Sequence, residues 1–477
     1  MTVTREADVI IVGYGGAGAV AAITAHDSGA QVLILEKSAE AGGNTRLAVS
    51  SFTSVIPGAS AKEHLGALCS RTLEDDVIDA YIEWASKNVD FVRELGGDPV
   101  PYFPGPTFPG ITGAEAMLRF RPFHDALQGD GGRRLWRLLE ENVEKRGIEV
   151  MTSTPVCRLI QGSRKEVVGV ETNAGGSILR VLARRAVILT CGGFEFDETM
   201  KREYLRISQV FALGHPDNTG DGIRMAQEVG AAIWHMGAIA CPLGYKFPEY
   251  ESAFDSHMPG EGYIAVDRYG ERFMNEYGGL YTKWLSVSHF IPERLEWPRV
   301  PCFFVFDDRT RLLGPISHVY GGNRGVYQWS ADNSVEIGRG WILWGNSLAE
   351  LGEKMYVPAK NKLEMAVARY NQFCSEGEDR DFARSRETLI PLETSPFYAI
   401  EVFPCLLNTQ GGPKHNAKAQ VVDPWGHPIP RLYAAGELGS IWGFMYQSGG
   451  NLGECLAFGR IAGMNAAQEK PRTRENS

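Results

Sequence analysis

Three glycines and one carboxylate carry the first chemistry legible in this chain. Gly13-x-Gly15-x-x-Gly18 follows the apolar run 7–12, opens the stretch AVAAITAHDS, and is followed 18 residues after Gly18 by Glu36. The first glycine permits a tight turn, the second lets a pyrophosphate approach the backbone, and the third lets helix and strand pack closely. The helix N-terminus offers unpaired N–H groups and partial positive charge to phosphates. Glu36 can accept hydrogen bonds from ribose hydroxyls. This is the chemistry of a dinucleotide site, and the spacing alone does not choose NAD from FAD. Other chemistries lack their residues. No Gly-x-Ser-x-Gly elbow is present for hydrolysis, and no His or carboxylate spacing suits a metal.

The elements that must hold this turn are also legible. Residues 7–12 and 31–35 read as buried strands around a helix that stops at Gly29, a βαβ unit of a parallel sheet. The segment 42–51 reads as a small-residue loop, and helical patterns dominate roughly 60–150. Residues 167–172 and 177–182 read as a hairpin across Asn173-Ala174-Gly175-Gly176, and 186–190 as a further strand. From about 236 to 394 the texture is aromatic-rich and proline-rich; after 395 it returns to strands, a glycine loop and a closing helix over 452–467.

Composition bounds the class. The chain has 477 residues, 22% charged and 44% hydrophobic, close to a soluble globular average. Its net charge of −10 argues against a nucleic-acid partner or an anionic membrane surface. The eight cysteines form no Cys-x-x-Cys, and read as free thiols of a reducing compartment. No signal peptide or transmembrane segment is apparent. The uncharged run 9–25 is better read as strand, turn and helix, so the expected location is cytoplasmic.

A second set of segments adds to the turn. Residues 42–45 (GGNT), 190–194 (TCGGF), 218–222 (NTGDG), 432–437 (LYAAGE), 449–452 (GGNL) and 457–463 (AFGRIAG) resemble the flavoprotein subunit family of fumarate reductase and succinate dehydrogenase. That family also includes the 3-ketosteroid dehydrogenases. The resemblance runs nearly end to end and implies an α/β fold. It implies a discontinuous Rossmann-like FAD-binding domain, 1–235 and 395–477, with an inserted α+β cap over 236–394. It implies FAD contacts from Gly13, Gly15, Gly16, Ala17 and Gly18, from Glu36 and Lys37, and from Gly43, Asn44 and Thr45. Further contacts are implied from Val156, Cys191, Gly192 and Asp221, from Glu437 near the ribityl chain, and from the N–H groups of Asn451 and Leu452 near the flavin O2. Some family members attach FAD through a His in the loop after the second strand. Here that loop carries Asn44-Thr45 and no His, so the flavin is expected to be non-covalent.

Within the resemblance two reactions compete: reduction of an activated alkene such as fumarate, and desaturation beside a ketone. The family's fumarate reductases place Thr-Arg shortly after Gly-x-Arg-Phe-x-Asn-Glu; here Gly270–Glu276 keeps the motif but Tyr277-Gly278-Gly279 follows. Their His becomes Asn408, their His-Pro becomes Cys241-Pro242, and their Asn-Arg becomes Tyr446-Gln447-Ser448. The expectation is an uncharged pocket. Tyr446-x-Ser448-Gly449 is similar to the Tyr-x-Ser-Gly of 3-ketosteroid Δ4-dehydrogenases. It implies that Tyr446 and a backbone N–H of the Gly449–Gly450 stretch hold a ketone oxygen, with Ser448 as base or relay. A second phenol is expected from the cap, with Tyr320 as candidate. The expected function is an FAD-dependent dehydrogenase that introduces a C=C bond α,β to a ring ketone, a 3-oxosteroid or a smaller cyclohexanone-type compound, with an unidentified electron acceptor. The alternative is an enone or enoate reductase. Lys414-His415 could instead meet a substrate carboxylate, and Arg272 reads as a cap buttress.

Overall fold

The apolar run ahead of the glycine turn forms the central strand of a mainly parallel sheet. The computed structural model describes residues 3–48, 51–102, 105–124, 131–174, 177–207, 209–279, 281–319, 321–358 and 361–472. Val3–Val12 pairs in parallel with Val32–Leu35 on one side and Ser177–Leu189 on the other. Glu149–Met151 and Pro428–Ala434 extend the parallel order, and Gln420–Val422 pairs antiparallel at one edge. Val9, Ile10, Ile11 and Ile34 are fully buried, as befits strands covered on both faces.

Three local expectations differ from what folds. The hairpin strand and the strand expected over 186–190 are one strand, Ser177–Leu189. One of its edges follows Val3–Val12; the other pairs first with Val167–Ala174 and then with Pro428–Ala434. The loop over 42–51 contains a short helix, Gly43–Leu47. The helical stretch does contain Ala59–Leu68, Asp75–Ala85, Asn88–Glu94 and Gly131–Lys145, but Met117–Arg121 is a strand between Phe52–Val55 and Val100–Pro101. Leu118-Arg119-Phe120-Arg121 alternates with the two-residue period of a strand, a signal shorter than the surrounding helical pattern.

The closing helix, Gly450–Gln468, lies against Gly16–Asp27 through small residues. A Cβ on Gly459 would sit 2.9 Å from Val20 Cγ1, and one on Gly463 would sit 2.4 Å from the Ala21 carbonyl oxygen. Those two glycines let the backbones approach and bring both helix N-termini to the same end of the sheet.

The chain divides into two compact units: 1–200, 217–240 and 408–477; and 201–216 with 241–407. The second unit is built on the strand Phe397–Leu406, paired with Cys302–Asp307 and with Leu243–Tyr245. Its core is aromatic, with Phe247 stacked on Trp341 at 3.8 Å and Phe254, Tyr327 and Trp329 around them. Arg272 is bidentate to Glu276 at 2.9 and 2.8 Å and reaches Asp379 at 2.8 Å; Arg384 meets the same Glu276 at 3.0 Å. These buried charges are compensated within the unit, where losing one partner would leave another stranded. No described helix is long and apolar enough to cross a membrane.

Candidate active site

The glycine turn is shaped by close approach. Gly13 has φ +101°, and a Cβ there would sit 2.5 Å from the Thr190 carbonyl oxygen; on Gly18 it would sit 2.1 Å from the Gly13 carbonyl oxygen. Gly15 is different. A Cβ there would meet nothing nearer than the Gly42 carbonyl oxygen at 3.7 Å. Among the described residues no atom asks for glycine at that position, so the open space suits a ligand that comes close to backbone, as a pyrophosphate does.

Around the turn, the Gly16 N–H donates to Thr45 Oγ1 at 3.0 Å, in the first turn of the helix that includes Ala17. The Glu36 carboxylate accepts from the N–H groups of Tyr14 at 2.7 Å and Ser38 at 2.8 Å, which fixes it and leaves further lone pairs for hydroxyl donors. Thr154 N–H donates to the Glu36 carbonyl at 2.8 Å, bringing Val156 into the same neighbourhood. Lys37 donates to Thr219 Oγ1 at 2.8 Å and pairs with Asp221 at 2.7 Å. The Cys191 thiol donates to the Val12 carbonyl at 3.4 Å, and burial pushes it up to about 12, so it is no thiolate nucleophile. Gly192 lies against Asn218 Oδ1.

A buried carboxyl cluster follows. Glu437 Oε2 accepts from Asn44 Nδ2 at 3.0 Å and Asn408 Nδ2 at 3.1 Å, and its Oε1 accepts from the Thr409 N–H at 3.3 Å. Asn44 Nδ2 also donates to Glu195 Oε1 at 2.9 Å. Sequence reasoning missed Glu195. The signal available was a carboxylate between two aromatics, Phe194-Glu195-Phe196, directly after the glycine pair. Asn408, noted for replacing a His, is here an amide donor to Glu437.

The third group is the segment ahead of the closing helix. Tyr446 is buried and lies edge-on to Trp442 with ring centroids 6.3 Å apart. Gly449 caps the helix with φ +76°, a left-handed conformation that favours glycine. Gly450 N–H donates to the Gln447 carbonyl at 2.8 Å, so that N–H is already engaged, and within the pair Gly449 is the candidate for a substrate oxygen. Asn451 forms a reciprocal amide pair with Gln410 at 2.9 and 3.2 Å, which holds the first turn of the helix containing Leu452.

Ser448 has neighbours from far away in the chain. Arg119 Nη1 donates to Ser448 Oγ at 2.9 Å, Thr107 Oγ1 accepts from the Ser448 N–H at 3.1 Å, and Thr53 Oγ1 donates to the Ser448 carbonyl at 3.3 Å. Thr53 and Arg119 sit opposite each other on paired strands. A guanidinium bonded to Oγ makes that oxygen a poorer base, so the geometry disfavours Ser448 as the base and leaves its hydroxyl a donor. The same bond sets a cation beside Ser448. Both Arg119 and Arg121 lie over the Tyr102 ring, at 5.2 and 4.3 Å from its centroid.

Other expectations stand apart. Tyr320 lies outside the described residues. Lys414 pairs with Glu74. His415 is buried against Trp234 and Phe458, and burial pushes it down to about 4, a neutral core imidazole rather than a carboxylate ligand. Among the described residues no group of three His, Cys, Asp or Glu side chains could hold a metal ion.

Comparison with known proteins places these features in company. The family described as FAD binding domain matches residues 8–452. The vinyl phenol reductase of Lactiplantibacillus plantarum is 26% identical over 491 residues, covering 97% of this chain and 96% of that protein. The 3-oxosteroid 1-dehydrogenase of Mycobacterium tuberculosis is 26% identical over 580 residues, covering 98% and 99%. The crystal structure of 3-ketosteroid Δ1-dehydrogenase from Sterolibacterium denitrificans superposes with a TM-score of 0.85 at 22% identity, covering 97% of this chain and 99% of that one, and establishes the shared fold.

Proposed function

This chain belongs to the FAD binding domain family and is an FAD-dependent oxidoreductase acting on C–C bonds, and on that premise we propose that it introduces a double bond α,β to a ring ketone. The single observation that carries this reading is the buried Tyr446 phenol on the segment that Gly449 joins to the N-terminus of the closing helix. Bound FAD, held without a covalent link, supplies the acceptor for the hydride lost from the β-carbon. The chain's own residues do the rest. Gly13–Gly18, Glu36 and Lys37 bind the dinucleotide, with Asn44, Thr45, Asp221 and Glu437 along its length. The first unit is the FAD-binding part and the second the substrate cap.

Tyr446 donates to the ketone oxygen, and the Gly449 N–H is the second donor. As the α-proton passes to a water molecule, negative charge gathers on the ketone oxygen, and each fixed donor lowers the barrier by roughly 2.7–4 kcal/mol. Ser448, held by Arg119, is a further donor rather than the proton acceptor. The product is the enone, and the two electrons pass on to an external acceptor. Substrates are 3-oxosteroids or smaller cyclohexanone-type compounds.

The Arg119 guanidinium favours a second reading, reduction of an alkene conjugated to a carbonyl or carboxylate, because a fixed cation also attracts an anionic substrate. One experiment separates the two. Oxidised enzyme is mixed anaerobically with saturated steroid and monocyclic ketones, and chemically reduced enzyme with the matching enones and enoates. Bleaching by saturated ketones supports the desaturase. Reoxidation by enoates without any bleaching by ketones overturns it in favour of the reductase.

A further inference from the structure

We propose that Glu195 and Glu437 share one proton, and that protonated Glu195 is the positioning residue that holds ionised Glu437 in place for FAD. Both side chains are buried, Glu195 at 0% and Glu437 at 7% exposure. A Cβ on Gly193 would lie 2.7 Å from Glu195 Oε2 and 2.5 Å from Glu437 Oε1, so these two oxygens border one small space. The donors are divided unequally between them. Glu437 takes the amides of Asn44 and Asn408 and the N–H of Thr409. Glu195 Oε1 takes Asn44 and Asn218, while its Oε2 is buried with no hydrogen-bond partner among the described residues.

An ionised carboxylate can only accept, and a buried acceptor without a donor is costly. A proton on Glu195 Oε2, donated to Glu437, removes that cost and leaves one negative charge instead of two. Burial, together with the neighbouring charge of Glu437, holds Glu195 well above the ordinary carboxylate range. Burial raises Glu437 too, but its own donors act against that rise, so Glu437 keeps the charge. The other titratable neighbours on the closing helix bring no compensating cation. Burial raises both, Glu454 to about 8 and the Cys455 thiol well up, and Glu437's charge adds to the rise of each. Asn44, Asn218, Asn408 and Thr409 do not titrate.

The sign follows from linkage. A carboxyl raised in the folded state binds its proton through neutral pH, and loses it as pH climbs through the raised value, placing a second buried charge beside Glu437. FAD retention should therefore be strongest on the acid and neutral side and fall on the alkaline side.

The test is FAD release from diluted holoenzyme, read as the rise in flavin fluorescence from about pH 5 to about pH 9. Wild type should release FAD more readily as pH rises. Glu195→Gln keeps the shape and a permanent donor, so it should retain FAD within about threefold of wild type at neutral pH and show a smaller alkaline fall than wild type. Glu195→Ala should release FAD roughly tenfold more readily at every pH. If Glu195→Ala does not fold, the pH profile of Glu195→Gln decides alone. The proposal is overturned if the alkaline fall of Glu195→Gln is as large as that of wild type, the part due to Glu454 being common to both, or if Glu195→Gln holds FAD as poorly as Glu195→Ala. Every arm reads cofactor retention without substrate, so failure of the ketone reading would leave these results standing.

Discussion

The turn at Gly13–Gly18 and the segment Tyr446–Gly450 both lead into helix N-termini, yet they are built in opposite ways. The turn is local. One strand, one helix and Glu36 at the end of the next strand supply most of it; glycine is required at position 18 by the Gly13 carbonyl within the turn, and at position 13 by the Thr190 carbonyl of the neighbouring strand's end. The segment before the closing helix is assembled from elsewhere: Thr53 and Arg119 from two paired strands, and Thr107 from the chain between. A site made of backbone is specified by a few neighbouring residues. A site made of side chains is specified by whatever the fold carries to it.

The comparison can be broken most severely at Gly18. Gly18→Val puts its Cβ into the Gly13 carbonyl, and the expected outcome is loss of the folded, yellow protein in circular dichroism and absorbance. A folded flavoprotein would show that the turn is less backbone-determined than the distances say. Next in size is Tyr446→Phe. It should keep FAD and lower the rate of anaerobic bleaching by a ketone about 10²–10³-fold; an unchanged rate removes the phenol from the reaction.

Gly15→Ala sharpens the local half. With no atom of the described residues nearer than 3.7 Å to the added methyl, the apoprotein should melt as wild type does while FAD affinity falls roughly ten- to a hundredfold. Arg119→Gln tests the assembled half. Losing a charge-assisted bond to Ser448 should slow ketone turnover about tenfold with FAD retained. Loss confined to carboxylate-bearing alkenes would instead make Arg119 a substrate-anion group and favour the reductase. Smallest of all, Lys414→Met removes a partly exposed pair with Glu74 and should change the unfolding free energy by less than about 1 kcal/mol, without altering turnover.

How much could be read in advance follows the same division. The parallel strands around the turn, the hairpin at 167–182 and the closing helix carry periods long enough to recognise. Met117–Arg121 does not, because five residues between helices offer too short a pattern. Glu195 had a faint local signal in its flanking aromatics, but its pairing with Glu437 joins residues 242 positions apart in sequence. The departures from the fumarate-reductase pattern at positions 241, 277, 408 and 446–448 were visible. The cation that takes a place beside Ser448 was not, since it comes from a strand 329 residues earlier.

By itself the sequence determined a dinucleotide turn and the α/β class, because backbone geometry and hydrophobic periodicity act over short stretches of chain, while the FAD family followed from the resemblance of its motifs. Only the tertiary structure decided that Arg119 meets Ser448, that the Gly450 N–H is already engaged, and that two carboxyls lie buried side by side. Those facts depend on which distant side chains the packing brings within hydrogen-bond reach, and no local pattern encodes that.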